Sequence, residues 1–199
     1  MVLYLIEIYT SAFNGINFVV AIDQQEVVAS SFDKKLETAL NKILGNLPFD
    51  VPFQVFANPS NQVRTILSIL KEIYEGKKND VKIPLAYHNF SLYSIKVLKT
   101  TISIPVGYVT SYGAVAKAVG GGSRVVGNVM AKNPFPPFVP CHRVVKSDFS
   151  LGDYGLGGAN MKFEFLSREK QGYTKPIMVN VDGAPLQVFP VEQVLRKYK

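Results

Sequence analysis

One cysteine occurs in this chain of 199 residues, Cys141, and it stands between Pro140 and the pair His142-Arg143. A lone cysteine cannot be half of an internal disulfide, so its sulfur is either a small core group or a reactive thiol. The setting favours the thiol. Prolines 134, 136, 137 and 140 stiffen the approach and fix the backbone just before the sulfur. His142 and Arg143 follow at once, and positive charge nearby favours thiolate, the nucleophilic form. A structural cysteine needs none of these neighbours.

Composition bounds the protein that carries this group. With 47% hydrophobic and 19% charged residues the chain builds a real core and is too apolar for disorder. The net charge of +7 suits a polyanionic partner if it gathers on one face. A single cysteine argues against a disulfide scaffold and fits a reducing cytoplasm. The start of the chain has no basic segment before an apolar one, and no apolar run spans a bilayer, so a cytoplasmic protein without a membrane partner is expected.

The elements that must position Cys141 read as α+β, a small N-terminal sheet-plus-helix domain followed by a mostly helical one. Leu3–Tyr9 and Ile16–Ala21 are β-rich runs joined through Asn14-Gly15, with a third strand at Glu26–Ser30. A helix is expected from Asp33, a good N-cap, to Gly45, and a second from about Asn61 to Gly76. Residues 76–80 form a polar break. Further on, Leu92, Ile95, Leu98 and Ile102 make a helical stripe that ends before Pro105 and Gly107. A short helix follows Thr110-Ser111, either of which serves as its cap. Gly120-Gly121-Gly122 breaks it, and Ser123 caps the next, which stops at Asn133-Pro134. Two short helices about a glycine turn have the composition of a helix-turn-helix, one shared with many pairs that bind no DNA. After Cys141 come a glycine-rich loop, Gly152–Gly158, and a helix over 159–170 with Met161, Phe165 and Leu166 inward. Asp182-Gly183 is a candidate turn in the tail, with a short basic helix after it.

Pro140-Cys141-His142-Arg143-Val144, preceded by Asn133-Pro134, resembles the acceptor signature of the O6-alkylguanine-DNA alkyltransferases. Ile104-Pro105, Gly107, Ser111-Tyr112 and Arg124-Val125-Val126-Gly127 fall where that family has matching residues, and the likeness runs over about residues 88–170. It implies direct DNA repair. The alkyl group of O6-alkylguanine, with O4-alkylthymine as a candidate second lesion, passes to Cys141 irreversibly, one turnover per molecule. The implied partner is double-stranded DNA, bound through the minor groove by a monomer.

The same resemblance distributes roles. His142 is the base for Cys141, acting through a bridging water, with Glu169 behind it. Asn133 ties the helix pair to the acceptor strand, and Tyr112 donates toward N3 of the departing purine. Met130, Pro136, Tyr154, Gly155 and Leu156 form the base pocket. The segment 154–158 is one residue longer than the family commonly has, so the N–H facing the substrate oxygen is that of Gly155 or of Leu156. Arg124 fills the gap in the stack, while Ser123, Gly113, Gly127, Arg143 and Lys146 meet the DNA. Too few cysteines and histidines are present for the zinc site of some relatives, so neither metal nor cofactor is expected. The expected domains are 1–86, 87–172 and an extension of unknown role, 173–199. A non-catalytic lesion reader is the alternative, and it would lack the acceptor cysteine.

Overall fold

Asn14 and Gly15, at φ 47° and 73°, form the left-handed two-residue turn that an Asn-Gly pair favours, and they close the first hairpin of the computed structural model. The structure describes residues 5–198, so the first two residues of the expected Leu3–Tyr9 strand lie outside it. The chain divides into two compact units.

In the first unit, β1 (Ile6–Phe13), β2 (Ile16–Asp23) and β3 (Glu26–Asp33) are antiparallel neighbours, and β4 (Phe53–Phe56) runs parallel to β1 in the order β3-β2-β1-β4. Alternation sorts the side chains. Ile6, Ile8, Val19, Ala21 and Ala29 pack with Ala39 and Ile43 of α1 (Leu36–Leu44). Phe18 and Phe32 meet Tyr74, the last residue of α2 (Asn61–Tyr74), edge-on at 5.3 and 5.1 Å. Asp33 is not the cap of α1, because it ends β3. Its Oδ1 accepts the Lys35 N–H, its Oδ2 pairs with Lys42, and the helix starts three residues later. Residues 134–138 also belong to this unit. Ser30 donates to the carbonyls of Pro134 and Pro136, and the buried Phe135 ring meets Tyr87.

The second unit carries α3 (Leu92–Ile102), β5 (Tyr108–Ser111), α4 (Tyr112–Val119), α5 (Ser123–Ala131), β6 (Val144–Val145) and α6 (Gly158–Arg168). After these come the hairpin β7 (Ile177–Val181)–β8 (Ala184–Pro190) and α7 (Glu192–Lys197). The sheet order is β6-β5-β8-β7, with β6 parallel to β5 and the other pairs antiparallel. Ser111 caps α4 by accepting the Ala114 N–H, whereas Gly122, not Ser123, stands at the cap of α5. Gly121, at φ 108°, lies where a Cβ would come within 2.7 Å of the Tyr93 hydroxyl, so the turn between the helices needs a residue without a side chain. The stripe on α3 is shifted from the expected one. Val97 and Leu98 are buried, while Leu92 and Ile102 face outward. Among the described residues no helix is long and apolar enough to cross a membrane.

Candidate active site

Strand β5 runs straight into α4, and β6 pairs beside it through Thr110↔Val144 and Ser111↔Val145. That register brings Tyr112, the first residue of α4, to the same cavity as the residues just before β6. Cys141–Arg143 form a single 3-10 turn, not the strand expected, with the Arg143 N–H on the Pro140 carbonyl at 2.9 Å. Asn133, just past α5, donates to the Val139 carbonyl at 3.1 Å and so ties the helix end to the approach to Cys141. The sulfur-bearing residue is 8% exposed. Burial pushes its pKa up; hydrogen bonding from Asn133 and the charge of Lys162 oppose that.

Behind the thiol lies a buried charge cluster. His142 and Glu169 are both fully buried and meet at 2.9 Å between Nε2 and Oε1. Arg143 donates through Nε and Nη2 to Glu169 and through Nη1 to the Ile104 carbonyl at 2.7 Å. Burial alone would raise the Glu169 pKa, yet the Arg143 and His142 partners hold it down at about 2. Burial keeps His142 below its usual value. The imidazole is therefore neutral near pH 7. With Glu169 ionised, the proton sits on Nε2 and Nδ1 presents its lone pair. Nδ1 is buried and has no hydrogen-bond partner among the described residues.

Arg143 corrects the expectation of a DNA contact. At 7% exposure, with its guanidinium committed to Glu169 and a backbone carbonyl, it is an internal counter-ion.

Both depressed pKa values make stability depend on pH in one direction. Folded His142 and Glu169 resist the protons that the unfolded chain takes up below about 6.5 and 4.5, so their contribution is present above those values and lost as the pH falls. For Glu169 the full difference is worth about 3 kcal/mol. Melting temperature is expected to hold from pH 8 to 7 and fall steadily from 6.5 to 4. A flat profile over that range would contradict the cluster as described.

The cavity that reaches Cys141 has a volume of about 660 Å³. Of the expected site residues, Tyr112, Ser123, Arg124, Gly127, Met130, Lys146, Tyr154 and Gly155 line it. Gly113 lies exposed on α4 and is not among them, and Pro136 packs in the first unit. Of Gly155 and Leu156, Gly155 lines the cavity with Tyr154, whereas Leu156 is buried and is not among the lining residues. Burial, Cys141 and Asp153 push the Tyr112 hydroxyl up to about 12, so it stays protonated and able to donate. Tyr154 packs its ring 6.3 Å from His142 and 6.1 Å from Phe165.

One residue escaped the sequence reading. Lys162, on α6, is completely buried, in place of the Met161 expected to face inward. Its Nζ donates to the Val144 carbonyl at 2.7 Å and the Asp153 carbonyl at 3.4 Å, and it lies 5.7 Å over the Tyr112 ring. Burial brings its pKa down to about 8, so it remains a cation near neutral pH. Lys162, Phe165, Leu166 and Glu169 share one helical face at spacings of three, four and seven, and that pattern was the available signal.

Comparison with known proteins gives this geometry a context. Residues 93–171 match the family described as "6-O-methylguanine DNA methyltransferase, DNA binding domain". A methylated-DNA–protein-cysteine methyltransferase of Pyrobaculum aerophilum is 51% identical over 74 residues, 37% of this chain and 49% of that protein. One of Methanocaldococcus jannaschii is 32% identical over 120 residues, covering 59% of this chain and 71% of that one. Of the first two curated relatives the chain spans 49% and 64% of their length. Among solved structures, the O6-methylguanine-DNA methyltransferase of Pyrococcus kodakaraensis superposes with a TM-score of 0.65 at 24% identity, over 82% of this chain and 98% of that one. The Mycobacterium tuberculosis OGT in complex with DNA gives 0.64 at 23% identity, over 82% and 92%. These two likenesses show the fold.

Proposed function

The chain belongs to the family of methylated-DNA–protein-cysteine methyltransferases, and from that premise we propose that it repairs DNA by moving an alkyl group from O6-alkylguanine to its own Cys141. The observation that carries the proposal is Cys141 opening onto a 660 Å³ cavity with the buried His142–Glu169 pair at its back. A thiol with a raised pKa needs a base to attack, and a neutral imidazole with a bare Nδ1 is one.

Protons and electrons balance across the step. His142 Nδ1 takes the thiol proton through one water while the sulfur attacks the alkyl carbon. The C–S bond forms, the bond to O6 breaks, and the electron pair stays on the purine. The proton gained by His142 equals the one the guanine needs at N1. Tyr112 donates toward N3, which carries part of the negative charge that develops on the leaving base, so it stabilises the transition state more than the ground state. Gly155 offers its N–H to O6. Lys162 adds a fixed positive charge beside the developing thiolate. No group in this arrangement hydrolyses a thioether, so each molecule acts once.

The partner is duplex DNA. Between Asp80 and Asp148 the chain has no acidic residue, while Lys117, Arg124, Lys132 and Lys146 all lie exposed. Helices α4 and α5 act as a helix-turn-helix in the minor groove, Arg124 fills the stack, and Ser123, Gly113 and Gly127 let the backbone approach. The protein works as a monomer, with its N-terminal domain over residues 1–86 and its transferring domain over 87–172. Cys141 is what separates it from a lesion reader without chemistry.

The test is a duplex carrying O6-methylguanine. Wild-type protein should restore guanine, and Cys141→Ala should bind the duplex and restore none. Equal repair by the two proteins would defeat the proposal.

A further inference from the structure

Hairpin β7–β8 and helix α7 lie beyond the residues that match the family, yet they pack on the segment that walls the cavity. We propose that residues 177–198 form an arm that holds the turn at 146–152 in place at the cavity, with Lys197 and Tyr198 as positioning residues for alkyl transfer. The inference rests on the function proposed above and adds a role for a segment to which the family resemblance gives none.

The arm is seated by apolar contact. Strand β8 pairs with the free side of β5, and Thr110 Oγ1 donates to the Gln187 carbonyl at 2.7 Å. Val191, Val194 and Leu195 pack with Val145, Leu151 and Leu166, and Phe189 meets Phe149 edge-on at 5.3 Å. Two polar side chains at its tip then reach the turn. Lys197 Nζ donates to the Asp148 carbonyl at 2.8 Å and pairs with its carboxylate at 2.7 Å. The Leu151 N–H donates to the Tyr198 hydroxyl at 3.0 Å.

The turn needs such support. Phe149 sits at φ 62°, a left-handed conformation that a bulky residue keeps only when its surroundings enforce it. The ends of the same turn, Lys146 and Gly152, line the cavity, as does Asp153. A surface ion pair contributes little on its own. Here the apolar seat supplies the docking, and the two tip side chains set where the turn lies.

The variant Lys197→Ala/Tyr198→Phe, made in the full chain, removes the tip contacts and leaves the seat. Transfer from both an O6-methylguanine duplex and free O6-benzylguanine is expected to slow about tenfold, the scale of a small misplacement near reacting atoms. Amide exchange over residues 146–152 should speed up. Alkylation of Cys141 by iodoacetamide should not change, because the His142–Glu169 pair is untouched. Unchanged transfer would overturn the proposal, whether or not exchange rises. Loss of iodoacetamide reactivity in step with transfer would also overturn it, by placing the effect at the thiol. A wild-type protein that transfers nothing would defeat the function itself, and the exchange result alone would then decide whether the arm holds the turn.

Discussion

Glu169→Gln is expected to slow methyl transfer by about 10²–10³-fold at pH 7. The carboxylate fixes the His142 proton on Nε2, and an amide that can present either its oxygen or its NH2 no longer enforces that tautomer. It also stabilises the imidazolium formed when the thiol proton arrives. Because burial holds the Cys141 thiol above its ordinary pKa, raising the pH supplies thiolate directly, so the variant should recover part of its rate between pH 7 and 9. A second consequence separates chemistry from folding. Arg143 is left as a buried cation without its carboxylate, which costs about 3–5 kcal/mol. A lower melting temperature with an unchanged rate and pH profile would reduce Glu169 to a partner of Arg143.

Arg124→Ala should have a smaller effect, and on one substrate only. The lesion oxygen lies within a stacked duplex, and extruding its nucleotide leaves a hole whose filling is worth a few kcal/mol, or about 10–100-fold in rate. Arg124 is exposed, second in α5, and at the lining of the cavity. Reaction with an O6-methylguanine duplex should therefore fall, while free O6-benzylguanine, which needs no unstacking, should react near normally. Equal loss on both would mean that the change disturbs the cavity. No loss on duplex would place the wedge at another residue. Loss that is greatest at low salt and fades as salt rises would mark Arg124 as a phosphate contact.

The uneven legibility of the site has physical reasons. Cys141 and His142 stand out because a proline-bound Cys-His-Arg is rare in type and order. Glu169 does not, since a glutamate at a helix end is ordinarily solvated, and only the resemblance singles it out. Its complete burial, between the Arg143 guanidinium and the His142 imidazole, is a fact of tertiary packing. The burial of Arg143 and of Lys162 is hidden in the sequence for one shared reason. Long cations are expected at the surface, and each is instead held inside by carbonyls and a carboxylate that come from distant segments. In the fold, Asn14-Gly15 fixed a hairpin through local backbone preference, and Ser111 capped α4 through a local hydrogen bond. Strand β4 escaped because it has four residues, and its single partner, β1, lies more than forty residues earlier. The hairpin around Asp182-Gly183 was visible as a turn, but nothing in its sequence said that β8 would join β5.

The central claim is that Cys141 takes the alkyl group and keeps it. Intact-mass measurement after incubation with excess O6-methylguanine duplex tests it most directly, followed by mapping of the modified peptide. One added methyl per molecule is expected, on the peptide that contains Cys141, with repair stopping at one lesion per protein. Repair that continues past that ratio, or a repaired duplex with no methyl on Cys141, would contradict it.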